Sequence, residues 1–389
     1  MIESFENRLQ TVDRAILTPL VSRALQLEVL DIIEWDYQPV PGGFSHERGE
    51  IYGIYRFQGT AQTGSGTTPW SLILKATGSA ATGGREPSAF DYWKREVLVY
   101  QSGLLDDLPG DLAAPRCIEI GAYPGEEYWL WLEDVPDLEV EEWPFEHYGQ
   151  VARHLGHLNG AYGAPNAMPD LPWLSSGDLR QRLAMAESGI PQLHRLSRHP
   201  FFKELLPGNH AERILNLWQA RDRLLHLRRQ LPVTFCHHDA FRRNLLTQRD
   251  SSGRAKTVLI DWTRAGTGVI GEELVSLFAA SLRFIAVDCD RIPELEASIF
   301  AGYVDGLRES GWRGDPKLAR FGFAATAALR CGVADPAIKL PDVARRIANL
   351  PPGTEAPRIL GPGLEQNVAL DRHLLDMGEE ALDLSGQLS

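Results

Sequence analysis

The chain has 389 residues, with 39 Lys and Arg against 52 Asp and Glu, which gives a formal net charge of −13. That length suffices for two domains and a large core without disulfide or metal staples, and the excess negative charge disfavours nucleic acid as a partner. Hydrophobic residues at 43% and charged residues at 23% are typical of a folded globular protein and exclude a disordered chain.

The cysteines and the apolar runs indicate a location. The four cysteines lie far apart and form no CxxC pair, which predicts reduced thiols and a cytoplasmic protein. The first six residues have neither a basic region nor a following apolar run, so no signal peptide is expected. The longest apolar run, residues 275–287, contains Ser281 and Arg283 and falls short of the ~20 residues of a membrane span. We therefore expect no membrane association.

The first third of the chain predicts a small antiparallel sheet. Residues 1–34 form a predicted helical segment, because apolar residues recur at helical spacing through Ile33. From Trp35 the pattern is typical of strands at residues 35–40, 51–57 and 70–75, with a turn-rich segment at 41–50. A helix is predicted at 89–104, followed by strands at 117–120 and 128–132. We place a lobe boundary after Asp134, so the sheet lobe spans residues 35–134.

Helices dominate the predicted second lobe, residues 135–389. They are expected at 148–162, 179–187, 211–229, 272–286, 294–309 and 315–331, with a short helix at the end of the chain. Two short strands are predicted at 232–236 and 257–260. The fold class is therefore α+β, with a small antiparallel sheet lobe and a larger, mainly helical lobe.

Three polar residues around the two short strands have a spacing with a chemical meaning. Asp239 is followed by Asn244 and, at the end of an apolar strand, by Asp261. An aspartate can accept a proton from a hydroxyl group, and Asn and Asp side chains supply the hard oxygen ligands that Mg²⁺ prefers. Any one of these residues alone could be a turn or cap residue. Their joint spacing favours phosphoryl transfer.

The pattern His-x-Asp-x-x-x-x-Asn, followed by an apolar strand that ends in Asp, resembles the aminoglycoside phosphotransferase and choline kinase family of the protein-kinase-like fold. His237, Asp239, Asn244 and Asp261 match it. The resemblance implies that Asp239 is the catalytic base, that Asn244 and Asp261 bind Mg²⁺, and that ATP is the phosphoryl donor. The sequence departs from the family at Glu273, where an aspartate often opens the next helix.

The resemblance also implies a nucleotide-binding role for the sheet lobe. A kinase of this class has a lysine on the third strand and a glutamate on the next helix, and Lys75 and Glu96 fit these positions. Glu86 is a rival partner for Lys75. Alternatively, Lys75 could lie at a solvated strand end and Glu96 on a solvated helix face.

Two further segments are assigned to the nucleotide by position. The loop after the first strand contains Gly42, Gly43 and Ser45, whose backbone N–H groups and hydroxyl would approach the phosphates. It has no GxGxxG pattern, and an ordinary hairpin turn is the alternative. Leu132 and Glu133 resemble the hinge that would bind the adenine edge through its backbone.

The acceptor is left open by the sequence. Arg242 lies in the loop after Asp239, where it would neutralise charge on the phosphoryl group or form a structural ion pair. Residues 126–146 contain nine acidic residues and no Lys or Arg, which would attract a cationic acceptor or form a solvated loop.

We therefore predict an ATP-dependent O-phosphotransferase that acts on a hydroxyl of an aminoglycoside-like antibiotic, a sugar or an amino alcohol. A catalytically silent nucleotide-binding module and a nucleotidyl transferase on the same fold are the alternatives. The sequence does not indicate the oligomeric state.

Overall fold

The computed structural model describes residues 5–40, 53–79, 86–138, 142–164, 167–199, 202, 205–249, 252–285, 287–348 and 364–388. The chain forms two compact units. Unit 1 comprises Met1–Leu138, Leu171–Ser175 and Leu246–Ala265, and unit 2 comprises Glu139–Asp170, Ser176–Leu245 and Gly266–Ser389. Within the described ranges, no helix has the length and apolar character that a membrane crossing requires.

The helices and strands occur along the chain in the following order. The first part contains α1 (Phe5–Gln10), α2 (Arg14–Leu25), β1 (Val29–Pro39), β2 (Gly53–Thr63), β3 (Gly66–Gly78), α3 (Arg95–Gln101), β4 (Leu112–Ala113), β5 (Cys117–Tyr123) and β6 (Glu127–Glu133). The second part contains α4 (Phe145–Tyr162), α5 (Leu179–Ala186), α6 (Ile190–Leu196), α7 (His210–Arg228), β7 (Val233–Cys236), β8 (Leu245–Arg249), β9 (Ala255–Leu259), β10 (Gly266–Val269), α8 (Ile292–Glu309), α9 (Pro316–Ala327), α10 (Asp335–Ala348) and α11 (Leu364–Ser385).

Unit 1 is organised by a five-stranded antiparallel sheet with the order β1-β2-β3-β6-β5. Alternate residues of a strand face opposite sides of a sheet. One side is buried against α1 and α2 through Phe57, Leu72, Leu74, Trp129 and Trp131. The other side packs on Val97 of α3 through Ile73, Leu130 and Leu132. Lys75 follows Ile73 by two residues, so it shares the side that α3 covers.

The helix predicted to continue through Ile33 instead ends at Leu25. Gln26 has the left-handed conformation with φ of 55°, and its N–H group bonds to the Ser22 carbonyl, which closes α2. Strand β1 begins at Val29 and pairs with β2 as far as Pro39. Leu30 is 60% exposed, so its helical spacing does not mark a buried face. Pairing with β2 decides the conformation here, and local periodicity does not.

Unit 2 is mainly helical, and α4 packs closely along α8. Glycines permit the approach: a Cβ atom on Gly156 would lie 2.2 Å from the Tyr303 carbonyl oxygen, and one on Gly302 would lie 2.0 Å from the Gly149 carbonyl oxygen. Across this contact the Tyr303 hydroxyl donates to Asn159 Oδ1 at 2.6 Å. The helix pair therefore holds Asn159 in one orientation.

Asn159 in turn anchors β7, the strand that leads into the predicted catalytic loop. Its amide donates to the Phe235 carbonyl at 2.8 Å, and the Thr234 hydroxyl donates to its backbone carbonyl at 2.6 Å. Strand β7 also pairs antiparallel with β10. The start of the loop is thus fixed by buried contacts within unit 2.

Two segments of unit 2 that were predicted to be α-helices are partly π-helical or 3₁₀-helical in the structure. The helix predicted at 272–286 is replaced by a turn, a π-helical segment (Ser276–Ala280) and a 3₁₀ turn (Ser281–Arg283). The helix predicted at 315–331 ends at Ala327 and continues as a π-helical segment (Ala328–Ala334). The Ser276 hydroxyl donates to the His238 carbonyl at 2.7 Å. Wider turns of this kind are frequent at functional sites.

Candidate active site

Three charged side chains converge in unit 1, from β3, α3 and the segment after β9. Lys75 Nζ lies 2.6 Å from Glu96 Oε2 and 2.7 Å from Asp261 Oδ1. Glu86, the rival partner of Lys75, is exposed in the turns before α3. The structure therefore brings together Lys75, Glu96 and Asp261, which we call the unit 1 triad.

Burial and charge act in opposite directions on the triad. Burial alone lowers the pKa of Lys75, but the charges and hydrogen bonds of Asp261 and Glu96 outweigh it, so the net pKa is raised. Burial alone raises the pKa of Asp261, yet the Lys75 charge and its hydrogen bond hold that pKa at about 2. The pKa of Glu96 is raised by its burial. Lys75 and Asp261 are therefore charged at neutral pH.

Asp261 has an unusual backbone conformation, with φ of 64° in the left-handed region. The residues after it hold this conformation. The Trp262 N–H donates to Glu96 Oε1 at 3.1 Å, and the Trp262 indole N–H donates to the Leu259 carbonyl at 3.0 Å. The Thr263 hydroxyl donates to Asp261 Oδ1 at 2.9 Å. A left-handed non-glycine residue persists only when its surroundings impose it, and here they do.

The predicted catalytic loop lies in unit 2 and is fixed by its own hydrogen bonds. Asn244 Nδ2 donates to the Asp239 carbonyl at 3.0 Å and to Asp239 Oδ2 at 3.1 Å. The Asp239 N–H donates to His237 Nδ1 at 3.2 Å, so the His237 ring supports the loop. Asp239 and Asn244 are thus adjacent, with the orientation of each set by the other.

Each unit presents an oxygen suited to a divalent cation. The bonds from Lys75 and Thr263 go to Oδ1 of Asp261, so among the described residues its Oδ2 accepts no hydrogen bond. Asn244 donates through Nδ2, and among the same residues its Oδ1 accepts none. Amide and carboxylate oxygens are the hard donors that Mg²⁺ takes alongside water and phosphate. Each of these two oxygens is therefore of a type that Mg²⁺ accepts as a ligand.

Glu273, the residue that departs from the family pattern, supports the catalytic loop. Its Oε2 accepts the His237 N–H at 2.6 Å and its Oε1 accepts the His238 N–H at 3.1 Å. Burial raises the pKa of this carboxyl to about 7, although both backbone bonds act to lower it. The glutamate thus satisfies two buried backbone donors at the start of the loop.

Replacing Glu273 by glutamine is expected to change the pH dependence of stability. The pKa of the carboxyl is about 7 in the folded protein against an ordinary value of 4.5, so the folded state binds more protons than the unfolded state between these values. The contribution of Glu273 to the free energy of unfolding of the wild type therefore falls as pH rises from 4.5 to 7. Glutamine does not titrate, so the free energy of unfolding of the variant should rise relative to that of the wild type over that pH interval. Urea unfolding of both proteins from pH 4.5 to 8.5 measures this, and a difference that stays constant with pH would contradict it.

Arg242 anchors the loop through contacts within unit 2. Its guanidinium carbon lies 4.1 Å from the centroid of the Trp143 ring, and its Nη1 donates to the Leu245 carbonyl at 3.2 Å. Its backbone N–H donates to Ser281 Oγ at 3.0 Å. The contact of Arg242 with a phosphoryl group stays a prediction.

The predicted hinge forms the end of β6. Leu132 is buried and pairs with Ile73 of β3, whereas the Glu133 N–H donates to the Arg116 carbonyl at 2.9 Å. Adenine recognition by Leu132 and Glu133 stays a prediction. Gly42, Gly43 and Ser45 of the predicted phosphate loop lie outside the described residues.

A cavity of about 850 Å³ lies in unit 1 beside the hinge. Glu133 and Asp134 line it together with Trp35 and Trp70. Neither Lys75 nor Asp261 lines it, so we do not assign it to the triad.

Several carboxylates of the acidic block at 126–146 are engaged within unit 1. Glu127 pairs with Arg8, Glu133 with Arg116 and Asp134 with Arg56, while Asp137 accepts the Thr247 N–H. These carboxylates are therefore paired with groups of unit 1. A cationic acceptor stays a prediction.

The sequence reasoning missed Thr263. Its hydroxyl fixes the Asp261 carboxylate from two residues away, a local bond that hydroxyl side chains often form. The position of a threonine two residues after the metal-ligand candidate was the available signal.

Comparisons with known proteins identify the family and the fold. A family model described as the phosphotransferase enzyme family, APH, matches residues 99–314, which is more than half of the chain. No curated protein sequence matches the chain. The structure is similar to an amicoumacin kinase in complex with AMP-PNP and Ca²⁺, with a TM-score of 0.51 and 12% identity over 96% of each chain. It is also similar to a choline kinase from Cryptosporidium parvum Iowa II, with a TM-score of 0.50 and 12% identity over 90% of each chain. The predicted kinase-like α+β fold is confirmed.

Proposed function

This chain belongs to the phosphotransferase enzyme family, and on that premise we propose that it transfers the γ-phosphoryl group of ATP to a hydroxyl group of a small molecule. The observation that carries the proposal is the unit 1 triad, in which a buried lysine on β3 pairs with a glutamate of α3 and with the aspartate after β9. Such a lysine is suited to hold the α- and β-phosphates of a nucleotide.

The triad assigns separate tasks to its members. Lys75 binds the phosphates, and Glu96 orients Lys75 through their ion pair. Gly42, Gly43 and Ser45, which lie outside the described residues, would contact the phosphates, while Leu132 and Glu133 bind the adenine edge. The amicoumacin kinase structure contains AMP-PNP, which supports the choice of an adenine nucleotide.

Asn244 and Asp261 would hold Mg²⁺ through the oxygens that their hydrogen bonds leave available. When bound, Mg²⁺ neutralises charge on the phosphates of the donor. Lys75 supplies a positive charge beside Asp261.

Asp239 acts on the acceptor. Its carboxylate accepts the hydroxyl proton while the hydrogen bond from Asn244 keeps it oriented. Arg242, placed three residues later and held by Trp143, stabilises charge on the phosphoryl group during transfer. Because phosphoryl transfer requires little covalent help from the protein, positioning of both substrates supplies most of the acceleration.

Binding of Mg·ATP tests the proposal without knowledge of the acceptor. We expect Mg·ATP to raise the melting temperature, because at 100-fold excess over Kd a ligand specific for the folded state adds about 2.7 kcal/mol to the free energy of unfolding. Thermal melts with ATP, with and without Mg²⁺, measure the shift, and Mg²⁺ with AMP serves as the control. A melting temperature unchanged at millimolar Mg·ATP would contradict nucleotide binding.

A further inference from the structure

Arg95 is the residue before Glu96 in α3, and its side chain is fully buried in unit 1. Its guanidinium group donates to backbone carbonyls from three separate segments. The acceptors are the carbonyls of Pro87, Ala89, Phe90, Trp173 and Thr263. One side chain thus ties residues 86–94 and 171–175 to the segment that follows Asp261.

The partners of Arg95 are unusual for a buried cation. Its hydrogen bonds in the described part of the chain all go to neutral carbonyls. Burial and the nearby Arg264 lower the pKa of Arg95 to about 10, which leaves the guanidinium charged at neutral pH. A buried charge without a bonded counter-ion is costly. Carbonyl acceptors offset that cost only where several are held in place, so the five carbonyls and Arg95 depend on one another.

Arg95 and Glu96 each form a hydrogen bond with the segment that follows Asp261. Glu96 accepts the Trp262 N–H at 3.1 Å, and Arg95 donates to the Thr263 carbonyl at 3.0 Å. Consecutive residues of α3 therefore hold consecutive residues of the chain after Asp261.

Further contacts of the Asp261 side chain connect the same segment to Lys75 and Glu96. The Thr263 hydroxyl donates to Asp261 Oδ1, which also pairs with Lys75, and Lys75 pairs with Glu96. Asp261 itself has the left-handed φ of 64°. A left-handed conformation is strained for a residue other than glycine, so it needs contacts that resist relaxation.

We propose that Arg95 is a positioning residue for the metal site: by holding the Thr263 carbonyl it keeps the Asp261 carboxylate turned so that Oδ2 is available to a divalent cation. This rests on the proposed function. It adds that α3 controls metal binding through Arg95 as well as phosphate binding through Glu96. Loss of Arg95 lets the segment after Asp261 relax and weakens the metal site.

Replacing Arg95 by methionine or lysine tests the proposal. Methionine removes all five hydrogen bonds, and lysine keeps the charge but cannot reach all the carbonyls with one ammonium group. Binding of Mn²⁺ in the presence of AMP-PNP, followed by electron paramagnetic resonance of free Mn²⁺, requires no acceptor. We expect Mn²⁺ affinity to fall about 10–100-fold for Arg95→Met, the usual range for partners that orient metal ligands, and by less for Arg95→Lys.

Arg8→Met is the matched control. Arg8 is also a buried arginine of unit 1, but it lies in α1 and pairs with Glu127 of β6. Its loss should lower the melting temperature and leave Mn²⁺ affinity unchanged. Circular dichroism establishes that each variant is folded. If Arg95→Met does not fold, Arg95→Lys decides the question.

The outcomes separate the two claims. Wild-type protein that binds no Mn²⁺ with AMP-PNP overturns the proposed function. Wild-type protein that binds Mn²⁺, together with folded Arg95 variants of unchanged affinity, overturns only the positioning role. Weaker Mn²⁺ binding by the Arg95 variants, with Arg8→Met unchanged, supports both.

Discussion

Replacing Asp239 by asparagine is expected to lower kcat by about 10²–10⁴-fold while the affinity for Mg·ATP stays near that of wild type. Asparagine has nearly the same size and keeps an oxygen that can accept the bond from Asn244 Nδ2, so the loop should keep its conformation. It cannot take up the hydroxyl proton and lacks the negative charge. Because the transition state of phosphoryl transfer is loose, a loss near the lower end of that range is expected.

Steady-state kinetics with a reactive acceptor and calorimetry with Mg·ATP measure the two quantities separately. Asp305→Asn, on the exposed side of α8, is the matched control and should change neither. An unchanged kcat for Asp239→Asn would make Asp239 a structural residue. A parallel loss of Mg·ATP affinity would move its role from the acceptor to the nucleotide.

Replacing Lys75 by methionine is expected to lower both turnover and stability. The variant loses the cation that binds the phosphates, and it leaves the buried Glu96 and the partly exposed Asp261 without the cation that pairs with both. Removing one partner of a buried ion pair costs about 3–5 kcal/mol of folding free energy. Chemical unfolding and initial rates at saturating Mg·ATP provide the two measurements.

The pH dependence of the Lys75→Met variant distinguishes this cause from a packing defect. Without Lys75 the pKa values of both carboxyls rise, so the folded variant binds more protons than folded wild type. Its deficit in stability should therefore shrink as pH falls and widen as pH rises. The double variant Lys75→Met, Glu96→Gln should be less destabilised at neutral pH, and Lys317→Met on the exposed surface is the control. A deficit independent of pH would show that charge is not the cause.

The sequence predicted those parts of the site whose signal is local. His237, Asp239 and Asn244 lie within one loop. In the structure the His237 ring accepts the Asp239 backbone N–H, and the Asn244 amide donates to the Asp239 carboxylate. Lys75 could be assigned to a strand because β-branched and aromatic residues surround it. The choice between Glu86 and Glu96 needed the structure, because both glutamates precede or begin the same helix.

Other parts of the fold depend on contacts distant in sequence. Arg95 meets the carbonyls of Trp173 and Thr263, 78 and 168 residues further along the chain, and nothing near Arg95 in the sequence indicates them. The early start of β1 is likewise decided by its pairing with β2. The π-helical segment at Ser276 accompanies a bond to the catalytic loop, which a helical apolar pattern does not indicate.

The activity proposed for this chain is the transfer of a phosphoryl group from ATP to a hydroxyl group. The measurement that tests it most directly is mass spectrometry of hydroxyl-bearing antibiotics, sugars and amino alcohols incubated with the protein and Mg·ATP, with Asp239→Asn as the control. We expect a product heavier by about 80 Da, the mass of one phosphoryl group, formed in equal amount with ADP and nearly absent with the variant. A product heavier by a whole nucleotidyl group, or ATP consumption that is the same in wild type and variant, would contradict it.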